Sequence, residues 1–97
     1  MDINGVRAFV SVADAGSVRD AADELGYSQS AVSRQVTAFE RSVGGTVFVR
    51  RREGMLLNEF GADLYPLAQE VLAAVKGLAV GPAGTPDRRP ARAPDRP

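Results

Sequence analysis

Between Ser28 and Gly45, the run SQSAVSRQVTAFERSVGG carries two opposed stripes at helical spacing. At about 100° per residue, Val32, Val36, Phe39 and Val43 gather on one side, and Ser30, Ser33, Arg34, Thr37 and Arg41 on the other. A face of hydroxyls and guanidinium groups without a carboxylate is chemically fitted to phosphates and base edges. Both groups bond phosphate oxygens, and the Arg fork matches guanine O6 and N7. An ordinary solvated helix would mix in Glu, Lys, Asp and Gln. Taken alone, this helix fits a bland surface role better than a nucleic-acid one. Its surroundings reverse that order.

The chain is formally neutral, with 12 Lys and Arg against 12 Asp and Glu in 97 residues. The charge is unevenly spread. Residues 28–52 hold Arg34, Arg41, Arg50, Arg51 and Arg52 against Glu40 alone, while 1–27 and 53–81 are both net acidic. A polyanion is steered by the local field and not by the total. With neither Cys nor His, the sequence has no disulfide framework, no thiolate metal site and no imidazole base. No catalytic residue, metal or cofactor is therefore expected, and an enzyme is the weakest reading. The N-terminus has no apolar run suited to a signal or membrane segment. The expected setting is a reducing cytoplasm, with no membrane partner.

Stepping out from the basic helix, Ile3 to Ala15 reads as a first helix, with Val6, Phe9, Val10 and Ala13 on one face, Asp2 as N-cap and Gly16 as its stop. Ser17 opens a second helix with Asp20 in capping-box relation, and Val18, Ala21, Ala22 and Leu25 form its buried stripe. Gly26 stops it, Tyr27 is read as packing in the turn, and Ser28 caps the basic helix. Two short helices about a tight Gly-containing turn is the helix-turn-helix pattern, whose second member enters the major groove.

Thr46–Val49 has strand composition, Glu53-Gly54 supplies a turn, and Met55–Leu57 returns. This hairpin carries Arg50, Arg51 and Arg52 near its tip, and three consecutive arginines in extended backbone cannot share one face. A fourth helix is expected from Asn58 or Glu59 to about Ala79, with Phe60, Leu64, Leu67, Val71 and Leu78 on a heptad-like seam that suits a second copy. Pro66 lies within it, which predicts either a kink or a start displaced towards it. Five of the six prolines fall after Gly81, so 81–97 reads as a disordered Pro/Arg-rich tail. The expected fold is mostly α: a winged helix-turn-helix over 1–58, a linker and dimerisation helix over 59–80, and the tail.

These residues resemble the DNA-binding region of LysR-type transcriptional regulators. The carriers are F-V-x-V-A-D-A-G-S at Phe9–Ser17, A-A-D-E-L at Ala21–Leu25 and S-Q-S-A-V-S-R-Q-V at Ser28–Val36. Glu40, G-G-T-V-F-V-R at Gly44–Arg50, L-N-E-F-G at Leu57–Gly61 and Pro66 continue the match. The resemblance runs from about Ile3 to Leu78 without a gap. It implies base-edge and phosphate contacts for Gln29, Ser30, Ser33 and Arg34, and a wing at Arg50–Arg52 reaching towards the minor groove. It also implies a fourth helix that pairs antiparallel with its mate.

Ser28 is foremost a helix cap and also a candidate phosphate contact. Thr37 joins the binding face, while Arg41 suits a phosphate or plain solvent equally. Two positions depart from the family pattern: Ser30 stands where Pro is common, and Thr46-Val47 where a longer aliphatic is usual. The family's small-molecule sensor region is expected to be missing, with the Pro/Arg tail in its place. The reading is a bacterial, nucleoid-associated homodimer on a pseudo-palindromic double-stranded operator. The alternative is a modulator that heterodimerises with a full-length relative through the fourth helix.

Overall fold

In the computed structural model, which describes residues 1–80, helix α1 spans Ile3–Ala15, α2 Val18–Leu25 and α3 Gln29–Val43. Strands β1 (Phe48–Arg51) and β2 (Gly54–Leu57) form an antiparallel hairpin, and α4 runs from Glu59 to Val80. The protein is a winged helix-turn-helix with a long helix appended. The expected disorder of 81–97 lies outside the described residues.

The first three helices begin and end where their own residues dictate. Asp2, Ser17 and Ser28 accept backbone N–H groups of Asn4, Asp20 and Ala31 at 2.9, 3.0 and 3.1 Å. Gly16, Gly26 and Gly44 close the helices in the left-handed conformation, which glycine enters without a Cβ penalty. Capping of this kind contributes about 1 kcal/mol per helix end.

The core has two lobes on either side of α1. Ala8, Val12, Ala21, Ala22, Val32 and Val36 join α1, α2 and α3 in one. Val6, Phe9, Phe39, Val47 and Ala68 join α1, α3 and α4 in the other. Phe9 connects the aromatic groups: its ring stacks on Phe39 with centroids 4.6 Å apart and meets Phe48 at 5.6 Å. Small Ala21 and Ala22 let α2 settle closely on α1, as their type predicts.

The wing starts two residues later than its composition predicts. Thr46 and Val47 are irregular backbone, not strand, because tertiary bonds claim their polar groups. The Val47 N–H donates to Glu40 Oε2 (3.0 Å), its carbonyl accepts from Asn58 N (3.0 Å), and Asn58 Nδ2 donates to the Thr46 carbonyl (2.8 Å). Asn58 also caps α4, accepting from Gly61 N at 2.7 Å. Glu40, the lone acid of the basic stretch, is thus turned to a structural task.

Two glycines mark close backbone approaches. Gly54 (φ +131) lies against the Gly16 carbonyl, which accepts the Met55 N–H at 2.8 Å and so pins the wing to the α1–α2 turn. Gly61 is packed so tightly on the Val47 carbonyl that a Cβ would overlap it and press Leu57 at 3.0 Å. Backbone cannot yield as a side chain can. Gly61→Ala is therefore expected to lower unfolding free energy by about 1–3 kcal/mol, read as an earlier urea midpoint. An unchanged midpoint would contradict this seating of α4.

Helix α4 passes through Pro66 without a displaced start. Its apolar residues fall into two stripes where the sequence reading has one seam. Gly61, Tyr65, Ala68 and Leu72 face the body, while Phe60, Leu67, Val71 and Leu78 are exposed. At about 100° per residue the stripes are roughly a third of a turn apart, and Leu64, between them, is partly buried on the second core lobe.

Candidate nucleic-acid interface

Because Val32, Val36 and Phe39 anchor α3 in the core, its opposite side must look outward. Ser30, Ser33, Arg34, Thr37 and Arg41 are all exposed. Ser33, Arg34, Thr37 and Arg41 line one open groove that contains no carboxylate. Arg41, which the sequence leaves between two roles, is thereby brought into the same surface as Arg34. The signal was present in its seven-residue spacing from Arg34, two helical turns on the same side.

The N-terminus of α3 extends that surface. Ser28, Gln29 and Ser30 are exposed, and no acid occupies the first turn. The two serine hydroxyls lie 3.2 Å apart, with Ser28 Oγ already accepting from Ala31 N. Free N–H groups and the positive end of the helix dipole favour an anion here. Tyr27, placed in the turn by its sequence context, is 41% exposed there, and Gly26 and Tyr27 both donate to the Ala22 carbonyl.

The wing divides its arginines. Pairing sets Arg50 opposite Met55 and Arg51 opposite Gly54. Met55 packs against the core, so the face it shares with Arg50 is the inner one. Arg50 accordingly lines the groove between wing and α3, together with Ser33, Thr37, Thr46 and the carboxylate of Glu40. Arg51 projects from the other face and Arg52 sits in the turn; all three are exposed. Among the described residues, no cluster of His, Cys, Asp or Glu is arranged to hold a metal ion. No helix among them is long and apolar enough to cross a membrane.

This arrangement can lay hydroxyls and arginines along a groove-shaped polyanion. The family model described as bacterial regulatory helix-turn-helix protein, lysR family, matches residues 3–62. The chain belongs to the LysR family. Its similarity to the Pseudomonas putida HTH-type transcriptional regulator GalR is 41% identity over 73 residues, 75% of this chain and 18% of that protein. A probable hydrogen peroxide-inducible genes activator of Mycobacterium avium is 38% identical over 85 residues, 88% of this chain and 27% of that one. The chain thus spans between about a fifth and a third of the length of the curated relatives it matches. Among solved structures, the BenM DNA-binding domain in complex with benA site 1 DNA superposes with a TM-score of 0.75. Identity there is 28%, covering 81% of this chain and 92% of that one. Residues 3–62 are thus a LysR-family helix-turn-helix region.

Proposed function

We propose that this LysR-family domain acts as a homodimer on a double-stranded, pseudo-palindromic operator at the nucleoid, within the cytoplasm, and regulates transcription from it. Helix α3 lies in the major groove. Ser33 and Arg34 read base edges, and Gln29 and Ser30 meet bases or flanking phosphates at the helix start. Ser28, Thr37 and Arg41 hold phosphates, and Arg51 and Arg52 carry the wing towards the minor groove. The exposed, acid-free flank of α3 is the observation that supports this reading most, and the DNA complex of the BenM domain is consistent with it.

The second copy is inferred from α4. An unpaired stripe of Phe60, Leu67, Val71 and Leu78 on a helix roughly 33 Å long is more apolar surface than its own body covers. Antiparallel pairing of two such stripes gives two-fold symmetry, which a pseudo-palindromic operator mirrors.

The wing arginines give a prediction of their own. Replacing Arg51 or Arg52 with Ala is expected to weaken binding to all duplexes alike and to reduce the slope of log affinity against log salt by about 1. Titrations at several salt concentrations read this directly, and an unchanged slope would remove that residue from the phosphate contacts.

Selection of bound sites from random duplex DNA with the full chain tests the proposal as a whole. Enrichment of two inverted half-sites at a fixed spacing is expected. Recovery of unenriched sequence, with co-purification of a full-length relative, would favour the heterodimeric modulator instead.

A further inference from the structure

Helix α4 has a built-in weak point within the stretch that packs on the body. Pro66 supplies no N–H, so the Ala62 carbonyl lacks its usual i+4 donor in the middle of the helix. Among the described residues, Ala68 is the last buried residue of α4, and Leu72 packs partly on the core beyond it. A helix interrupted at that place takes its direction from the contacts that tie both sides of the interruption to the body.

Three side chains span it. Tyr65 immediately precedes Pro66, and its hydroxyl donates to Asp14 Oδ1 on the last turn of α1. Gln69, one turn past the proline, donates from Nε2 to the same hydroxyl at 3.1 Å. The Tyr65 ring stands edge-on to Phe9 at 6.5 Å, which fixes its direction. The bond to Asp14, with lesser contributions from burial and the Asp14 charge, raises the Tyr65 pKa above its ordinary value, so the hydroxyl keeps its proton.

We propose that Asp14, Tyr65 and Gln69 form a brace across the Pro66 break, fixing the angle of α4 to the body and thereby the spacing of two α3 helices in the dimer. This rests on the two-copy reading above. The geometry makes the angle consequential: a tilt of about 10° on an arm of ~20 Å moves its end by ~3.5 Å, one base-pair step. Spacing selectivity therefore needs the angle held to a few degrees. An aliphatic contact such as Leu72 against the core fixes it less sharply than a directional hydrogen bond.

The chain has no cysteine, so spin labels can be placed at will. Glu24→Cys on α2 and Lys76→Cys on α4, both exposed, report the intrachain distance when the labelled full chain is diluted into unlabelled chain. The parent is expected to give one narrow distance. Asp14→Asn, whose amide carbonyl still accepts the hydroxyl, is expected to keep it. Tyr65→Phe and Asp14→Ala are expected to lose it to a broad or shifted distribution, with the fold intact by circular dichroism. A distribution in Tyr65→Phe identical to the parent, or a parent already broad, overturns the brace.

Site selection from random duplexes supplies the second arm. The parent and Asp14→Asn should enrich one half-site spacing, and Tyr65→Phe several spacings differing by whole base pairs. The same single spacing from Tyr65→Phe would also overturn the proposal. If the distances behave as expected but no paired half-sites are enriched by the parent, the two-copy operator reading fails and the brace stands.

Discussion

Leu67→Glu is expected to convert the dimer to a monomer and to lower affinity for a two-half-site operator by about 10²–10⁴, the loss that follows when a linked second binding event disappears. Leu67 is 55% exposed on the outward stripe of α4, so a charge there meets solvent in the monomer and a desolvated apolar partner only in the dimer. Domain stability should change by no more than ~0.5 kcal/mol, as for surface substitutions in general. Leu64→Glu separates the two effects, because Leu64 packs on the core lobe formed by Val6, Phe9 and Phe39. That variant should lose stability as well as dimerisation. Sedimentation of both variants beside an operator titration distinguishes them. A Leu67→Glu chain that sediments as a dimer would move the interface elsewhere.

Arg34→Ala is expected to weaken operator binding by about 1–3 kcal/mol and to flatten base preference at one position in each half-site. Arg34 is exposed on the flank of α3, so truncation should leave the fold untouched. Arg34→Lys isolates the reason. Lys keeps the charge and loses the planar fork that matches guanine O6 and N7. Its affinity for random duplex should stay near that of the parent while operator discrimination falls almost as far as in the alanine variant. If Lys restored discrimination in full, Arg34 would be a phosphate contact only.

The helical frame was legible in the sequence because the information is local. Asp2, Ser17 and Ser28 each satisfy an N–H a few residues on, and Gly16, Gly26 and Gly44 stop each helix at the next residue that tolerates positive φ. The outward flank of α3 was legible for the same reason, since Val32, Val36 and Phe39 leave only one side of the helix to solvent.

The misread parts are those set at a distance. Thr46-Val47 has strand composition, yet Glu40 and Asn58 take its hydrogen-bonding groups and Val47 is fully buried beneath Gly61. Periodicity joined Leu64 to Phe60, Leu67 and Val71 as one seam, although a 22-residue helix can present two faces and α4 does. The place of Arg50 beside α3, in the groove between wing and helix, follows from packing that spacing alone does not specify.

An iron-chelate DNA-cleaving probe on a single cysteine at Ser33 asks most directly whether the hydroxyl and guanidinium side of α3 rests on the duplex. With Ser33→Cys, strand cuts should cluster inside each half-site with the stagger of a major-groove source, while the same probe at Asp63→Cys on α4 should not cut there. Uniform cutting from Ser33→Cys, indistinguishable from that of the α4 probe, would mean that some other surface meets the DNA.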